Sequence, residues 1–145
     1  MVAPMTDIVS EEERSRIMSR VRGKDTKPEL VVRRIIYHAG FRYRLHVKNL
    51  PGRPDIVFRK RMKIILVHGC FWHKHDNCRL ARIPKSKIQF WTEKLEKNKL
   101  RDAKVERQLK EDGWDVLTIW ECEIRYIPTL KERLIAFLSS ASPDK

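Results

Sequence analysis

The sequence predicts an α/β fold in one domain, 1–145: a small mixed β-sheet with helices on both faces. Three observations carry this. Helical and strand patterns follow in the order helix, helix, strands, long helix, strand, helix. Two apolar runs, Ile64-Ile65-Leu66-Val67 and Val116-Leu117-Thr118-Ile119, have the length and β-branched content of buried strands. The first run leads straight into His68-Gly69-Cys70-Phe71-Trp72-His73-Lys74-His75-Asp76-Asn77-Cys78, which holds three of the five histidines and two of the three cysteines.

Each element has its own signal. Residues 1–9 show no period and are expected to be flexible, as are 140–145. Ser10-Glu11-Glu12-Glu13 is a capping box, so a basic helix over 10–22 is expected, carrying Arg14, Arg16, Arg20 and Arg22 and ending at Gly23. Thr26-Lys27-Pro28-Glu29 opens a second helix, which should bury Leu30, Val32, Ile35 and Ile36 and stop near Gly40. Phe41 to Val47 alternates weakly, as a first strand does. Asn49 to Pro54 is a turn by composition. Asp55 to Arg59 and Lys63 to Val67 should pair as a hairpin across Lys60-Arg61-Met62, which brings Asp55 beside Val67 and His68. A long helix is expected from about Ser86 to Glu111, with the stripe Ile88, Trp91, Leu95, Val105 and Leu109. Asn98 and Asp102 interrupt that stripe and need polar partners. Trp114 to Trp120 reads as the last strand. Pro128 opens a final helix with Leu130, Leu134 and Phe137 facing inward.

Charge narrows the partner. Thirty-two Lys and Arg against 19 Asp and Glu leave +13, an excess suited to a polyanion such as DNA, RNA or an acidic membrane face. No stretch approaches the roughly 18 apolar residues of a membrane span. The N-terminus lacks a signal peptide's apolar core, so a soluble cytoplasmic protein is expected. An odd number of cysteines, two of them near histidines, favours metal or free thiols over a disulfide framework.

The candidate chemistry lies around the eleven-residue cluster His68 to Cys78. Cys70-x4-His75-x2-Cys78 offers three donors, and Cys122 completes a tetrahedral zinc set if the last strand lies beside Lys63–Val67. On spacing alone either His75 or His73 can be the nitrogen ligand; the alternative is three ordinary buried cysteines. Asp55 is a turn or cap residue on its own, but beside His68 and His73 it becomes a Mg²⁺-binding carboxylate. Lys63 to Val67 contains no second acid, so a histidine or a backbone carbonyl must share that work. His68 and His73 titrate near neutrality, which suits proton transfer. Phe71 and Trp72 pack in a core or insert between base steps. The arginines of the N-terminal helix suit a DNA backbone or a plain solvated face.

Leu50-Pro51-Gly52-Arg53-Pro54-Asp55, His68-Gly69-Cys70-Phe71-Trp72-His73, Phe90-Trp91, Lys97-Asn98, Arg101-Asp102 and Trp120-Glu121-Cys122 resemble the very-short-patch (Vsr) DNA mismatch repair endonucleases. Arg14 to Met18 and Asp25 to Glu29 fit as well, so the resemblance runs from about Glu12 to Phe137. It implies a type II restriction-endonuclease-like fold and a Mg²⁺-dependent enzyme that nicks DNA 5′ of the thymine in T:G mismatches left by deaminated 5-methylcytosine. It implies that Asp55 and the Val67 carbonyl hold Mg²⁺ and that His73 handles the attacking water. It implies that His68 is the second catalytic histidine and that Glu29 approaches the metal through water; the mechanism expected here adds Asp102 behind His68. The resemblance makes Cys70, His75, Cys78 and Cys122 the expected Zn²⁺ ligands. Phe71, Trp72 and Trp91 enter the base stack, and Asn98 and Asp102 support the centre.

The family's pattern has Thr at the position of Val67, a change that spares a carbonyl ligand. The spacer from His75 to Cys78 is slightly longer than the family's, which keeps His73 as the fallback zinc ligand. Expected partners are T:G-mismatched duplex DNA and mismatch-repair proteins, met by a monomer at the nucleoid. The rival readings are a restriction- or defence-type nuclease without mismatch preference and a non-catalytic, zinc-stabilised DNA-binding module.

Overall fold

The computed structural model describes residues 26–141. The basic helix expected over 10–22, with Arg14, Arg16, Arg20 and Arg22, lies outside the described residues. The elements are α1 (Lys27–His38), β1 (Arg44–Leu45), β2 (Ile56–Phe58), β3 (Lys63–His68), α2 (Ile88–Glu111), β4 (Asp115–Trp120) and α3 (Ile127–Ser139). Short 3-10 turns occupy Arg79–Ala81 and Glu121–Arg125.

The four strands form one sheet in the order β1-β2-β3-β4. β1, β2 and β3 run antiparallel in turn, while β4 joins β3 in parallel. A parallel neighbour needs a crossover, and α2 supplies it. The period-2 alternation of the strands divides the core into two. Ile56, Phe58, Ile65 and Ile119 face Val32 and Ile36 of α1 and Leu130, Leu134 and Leu138 of α3. Val57, Ile64 and Leu66 face Leu109 of α2, with Trp114 beside it. The expected small mixed sheet with helices on both faces is therefore the observed one.

Local differences have local causes. Val32 and Ile36 of α1 are buried as expected and Ile35 partly so, but Leu30 is exposed, and Glu29 is buried where it pairs with Arg33 and His46. The first strand shrinks to two residues, since His46 turns into the left-handed region at a φ of +46°. α2 starts at Ile88, two residues later than expected: left-handed Lys87 precedes it and contributes no side-chain cap. Ile88 then points to solvent. At the C-terminus of α3, Leu138 takes the fully buried place expected of Phe137, which lies half-buried over Lys63. Ser140 and Ala141 accept hydrogen bonds from buried Lys63 at 2.8 and 3.4 Å, so the expected loose tail begins with two tethered residues.

Candidate active site and metal cluster

The pairing of β3 with β4 builds the site. Val67 lies opposite Ile119 and His68 opposite Trp120, so both strands finish level. Cys70 and Cys122, each two residues further on, emerge side by side. After His68 the chain makes a compact turn, with His73 N–H donating to Gly69 O at 3.1 Å and His75 N–H to Cys70 O at 3.0 Å. The turn folds His73 back onto His68; the rings stack at 3.8 Å with an interplanar angle of 4°. His75 stacks on Trp120 at 4.0 Å, and Trp120 meets His68 edge-on at 5.2 Å. One face of α2 fastens the turn: Asn98 Nδ2 donates to Trp72 O at 3.1 Å, Lys99 pairs with Asp76 at 2.7 Å, Glu96 with Lys74 and Asp102 with His73. Asn98 also accepts from Arg101 at 3.0 Å. These are the partners that the interrupted stripe demanded.

Ligand atoms of Cys70, His75, Cys78 and Cys122 all lie within 4.8 Å of one another. A tetrahedron with Zn–S bonds of about 2.3 Å needs sulfur–sulfur edges of about 3.8 Å, so this set fits zinc. The nitrogen of the cluster is that of His75, whose Nδ1 is 3.6 Å from Cys122 Sγ; His73 belongs to a different group. Burial pushes the Cys70 and Cys122 thiols up. At Cys78 burial also raises the thiol, but the backbone N–H of Leu80, the Cys70 and Cys122 thiols and the N–H of Ala81 outweigh it and bring it below the usual value. Three clustered thiols ionise together only beside a cation.

The second centre is a cavity of about 610 Å³ at the same end of the sheet. Glu29, Asp55, Val67, His68, His73 and Asp102 line it, with Phe71, Trp72 and Arg101. Asp55 Oδ2 accepts from Val67 N–H at 2.8 Å, which places the carboxylate against the Val67 backbone. Gly52, at a φ of +73°, allows the preceding turn to press on α2: a Cβ there would sit 2.5 Å from Val105 Cγ1. Burial pushes the Asp55 carboxyl up to about 7; the Val67 N–H opposes this and Glu29 reinforces it. A carboxylate pair in a cavity, Glu29 buried and Asp55 half-buried, is a hard-oxygen donor set that a divalent cation would relieve, so the residues fit Mg²⁺.

The histidines divide differently from the expected pattern. Asp55 groups with Glu29 and His46, whereas His68 groups with His73 and Asp102. Asp102 stands behind His73, not behind His68, because the turn carries His73 Nδ1 to the α2 carboxylate. Burial holds His68 down to about 3, with the neighbouring His73 lowering it further and Asp102 raising it; it is a neutral imidazole at neutral pH. Trp72 is 7% exposed and packs against Phe71 and Trp91 at centroid distances of 5.1 and 5.9 Å. Phe71 and Trp91 are half-buried, and Phe90, adjoining Trp91, is exposed.

Sequence reasoning missed His46, Trp120 and Glu121. The last accepts from Cys70 N–H at 3.2 Å and lines the cavity. A signal existed for two of them: Trp120-Glu121-Cys122 ends β4 as His68-Gly69-Cys70 ends β3. His46 had none, since its neighbour Glu29 is 17 residues away.

A carboxylate–histidine cavity at the end of a mixed sheet, beside a cysteine cluster, belongs here to a DNA endonuclease, the class to which the matching proteins assign it. The family model described as DNA mismatch endonuclease Vsr matches residues 6–79. The chain is 46% identical to the type II nicking enzyme V.XorIIP of Xanthomonas oryzae pv. oryzae over 130 residues, 90% of this chain and 95% of that protein. It is 44% identical to the type II nicking enzyme V.NmeAIP of Neisseria meningitidis serogroup A, covering 90% and 92%. To the DNA mismatch endonuclease Vsr of Escherichia coli (strain K12) it is 38% identical, covering 83% and 77%. The chain belongs to the Vsr family of DNA mismatch endonucleases. Among the described residues no helix is long and apolar enough to cross a membrane.

Proposed function

We propose that this endonuclease is Mg²⁺-dependent and strand-specific, and that it nicks 5′ of the thymine in a T:G mismatch, as very-short-patch repair of deaminated 5-methylcytosine requires. The observation that carries the reading is the one cavity lined by the Asp55–Glu29 carboxylates, the His68–His73–Asp102 group and the Phe71 and Trp72 rings, against which Trp91 packs. The restriction-endonuclease-like description of the fold goes with family membership.

Asp55 and the Val67 carbonyl would hold Mg²⁺, which when bound supplies an acidified water and stabilises charge on a phosphate oxygen. His73 Nδ1–H donates to Asp102, which leaves Nε2 as the basic nitrogen that takes the water's proton. Stacked beneath it, neutral His68 hydrogen-bonds the phosphate or the leaving oxygen without adding charge. Glu29 extends the acidic wall next to Asp55. Phe71 and Trp91 enter the base stack, and Trp72 supports them from below. Cys70, His75, Cys78 and Cys122 hold a structural Zn²⁺ that stiffens the turn carrying His73. Arg14, Arg16, Arg20 and Arg22 track the DNA backbone. The products are a 5′-phosphate and a 3′-hydroxyl, and the enzyme acts as a monomer on nucleoid DNA.

The test is nicking of duplexes that are matched or carry one T:G mismatch, in Mg²⁺ or EDTA. The expected result is a single nick 5′ of the mismatched thymine, abolished by EDTA and by Asp55→Ala. Equal cutting of matched DNA would replace this reading with a restriction-type nuclease. Binding without cutting would leave a zinc-stabilised binding module.

A further inference from the structure

The geometry points to His46 as a positioning residue that holds the Glu29 carboxylate against Asp55, so that the two acids present one cation-binding wall. The inference rests on the Mg²⁺ reading above and adds a residue to it.

Four observations converge. His46 Nε2–H donates to Glu29 Oε2 at 2.8 Å, since a carboxylate only accepts. Glu29 is 2% exposed, so its orientation depends on such partners and on Arg33. His46 itself lies outside the cavity lining, whereas Glu29 and Asp55 are within it, and its ring nitrogen stands within 4.8 Å of a carboxylate oxygen of each. The backbone of His46 is tied to the other acid, its N–H donating to Asp55 O at 3.1 Å. One residue thus touches both acids, Glu29 through its ring and Asp55 through its main chain.

The fold maintains a strained conformation to do this. His46 follows the two-residue β1 directly and adopts a φ of +46°, unfavourable for a residue with a Cβ. Strain of this kind persists where surrounding structure enforces it, typically at sites that need a side chain aimed. Relaxing the turn would break the hold on Glu29 and the link to Asp55 together.

The test measures Mn²⁺ binding to the full-length, DNA-free protein by electron paramagnetic resonance. It compares wild type, His46→Ala, His46→Gln and, as a control, Asp55→Ala, with unfolding midpoints alongside. Partners behind a metal ligand contribute about 10- to 100-fold in affinity, so His46→Ala should weaken binding by about tenfold or more. His46→Gln should recover most of it, because its amide can donate to the same oxygen. Nicking by His46→Ala should need correspondingly more Mg²⁺ for half-maximal rate, with the saturated rate little changed. If His46→Ala binds Mn²⁺ like wild type while Asp55→Ala does not, the role of His46 is overturned and the cation site stands. If His46→Gln is as weak as His46→Ala, hydrogen-bond positioning is overturned. If Asp55→Ala binds like wild type, the cation reading itself falls.

Discussion

The cysteine cluster and the carboxylate cavity begin within a few residues of each other at the end of β3, and Trp120 touches both. Its ring stacks on His75 of the first and meets His68 of the second edge-on. Their chemistry is opposite. The cluster gathers soft donors from two strand ends and encloses Cys70 completely. The cavity gathers oxygen donors and paired imidazoles around about 610 Å³ of space. A closed soft set suits a structural ion; an open hard set leaves room for water and a phosphate. The difference teaches that His73 and His75, two residues apart, serve different centres because the turn after His68 points them in different directions.

The largest expected effect breaks the comparison on the cavity side. Asp55→Asn should lower nicking by about a thousandfold or more, because on the proposed mechanism the site loses the charge that would fix its cation. Folding should not suffer. In the metal-free protein burial raises Asp55 to about 7 from 3.8, so between those values the folded state binds more protons than the unfolded one. The wild type should therefore lose stability in EDTA as pH rises from about 4 through about 7, and Asp55→Asn should not. Denaturant midpoints across that window check the sign; parallel curves would remove the buried, proton-binding carboxylate from the account.

Cys122→Ser breaks it on the other side. One zinc per chain is expected in the wild type by elemental analysis, and markedly less in the variant. The loss should cost stability on the order of several kcal/mol, together with activity that excess Mg²⁺ does not restore. A variant that keeps its melting temperature and its nicking would show the cluster to be four unconnected side chains.

The two centres were not equally legible in the sequence. The cysteine cluster needed only donor types, spacing and one assumption, that the last strand lies beside Lys63–Val67; the parallel β3–β4 register is that arrangement. The sheet and its flanking helices were legible for the same reason, since period-2 and period-3.6 patterns are local. The cavity was harder. Asp55 stood out as an acid at the head of an apolar strand, yet its partner Glu29 looked on spacing alone like a capping-box residue, and only the family resemblance set it near the metal. His46 looked like nothing at all, because its meaning comes from a left-handed turn and a contact across 17 residues. Nor does sequence say which of two adjacent rings is covered, and Trp72 is.

Within the cavity the paired histidines should separate by degree. On the proposed mechanism His73→Ala removes the proton acceptor and should cost about 100- to 10,000-fold in rate. Asp102→Asn keeps the size of the side chain but no longer enforces the Nδ1–H tautomer, so its loss should be smaller and of the same kind, in the rate at saturating DNA rather than in DNA affinity. Single-turnover rates on the T:G duplex check this. A full effect from Asp102→Asn with none from His73→Ala would move the proton acceptor elsewhere.

The smallest effect tests the aromatic edge that both centres support. Trp91 is half-buried and Trp72 covered, although the two rings touch at 5.9 Å. Stacking of a base on an aromatic ring is worth about 1–3 kcal/mol, so Trp91→Ala should weaken duplex binding by up to about a hundredfold with little change in melting temperature. Trp72→Ala should lower the melting temperature first, because it leaves a cavity beneath Phe71 costing about 3–5 kcal/mol. Fluorescence anisotropy on matched and mismatched duplexes, read beside thermal unfolding, separates the two. If Trp72→Ala costs binding alone, the ring leaves its packed position on meeting DNA and acts as a wedge itself. If Trp91→Ala costs stability alone, the aromatic edge is a core that happens to reach the surface.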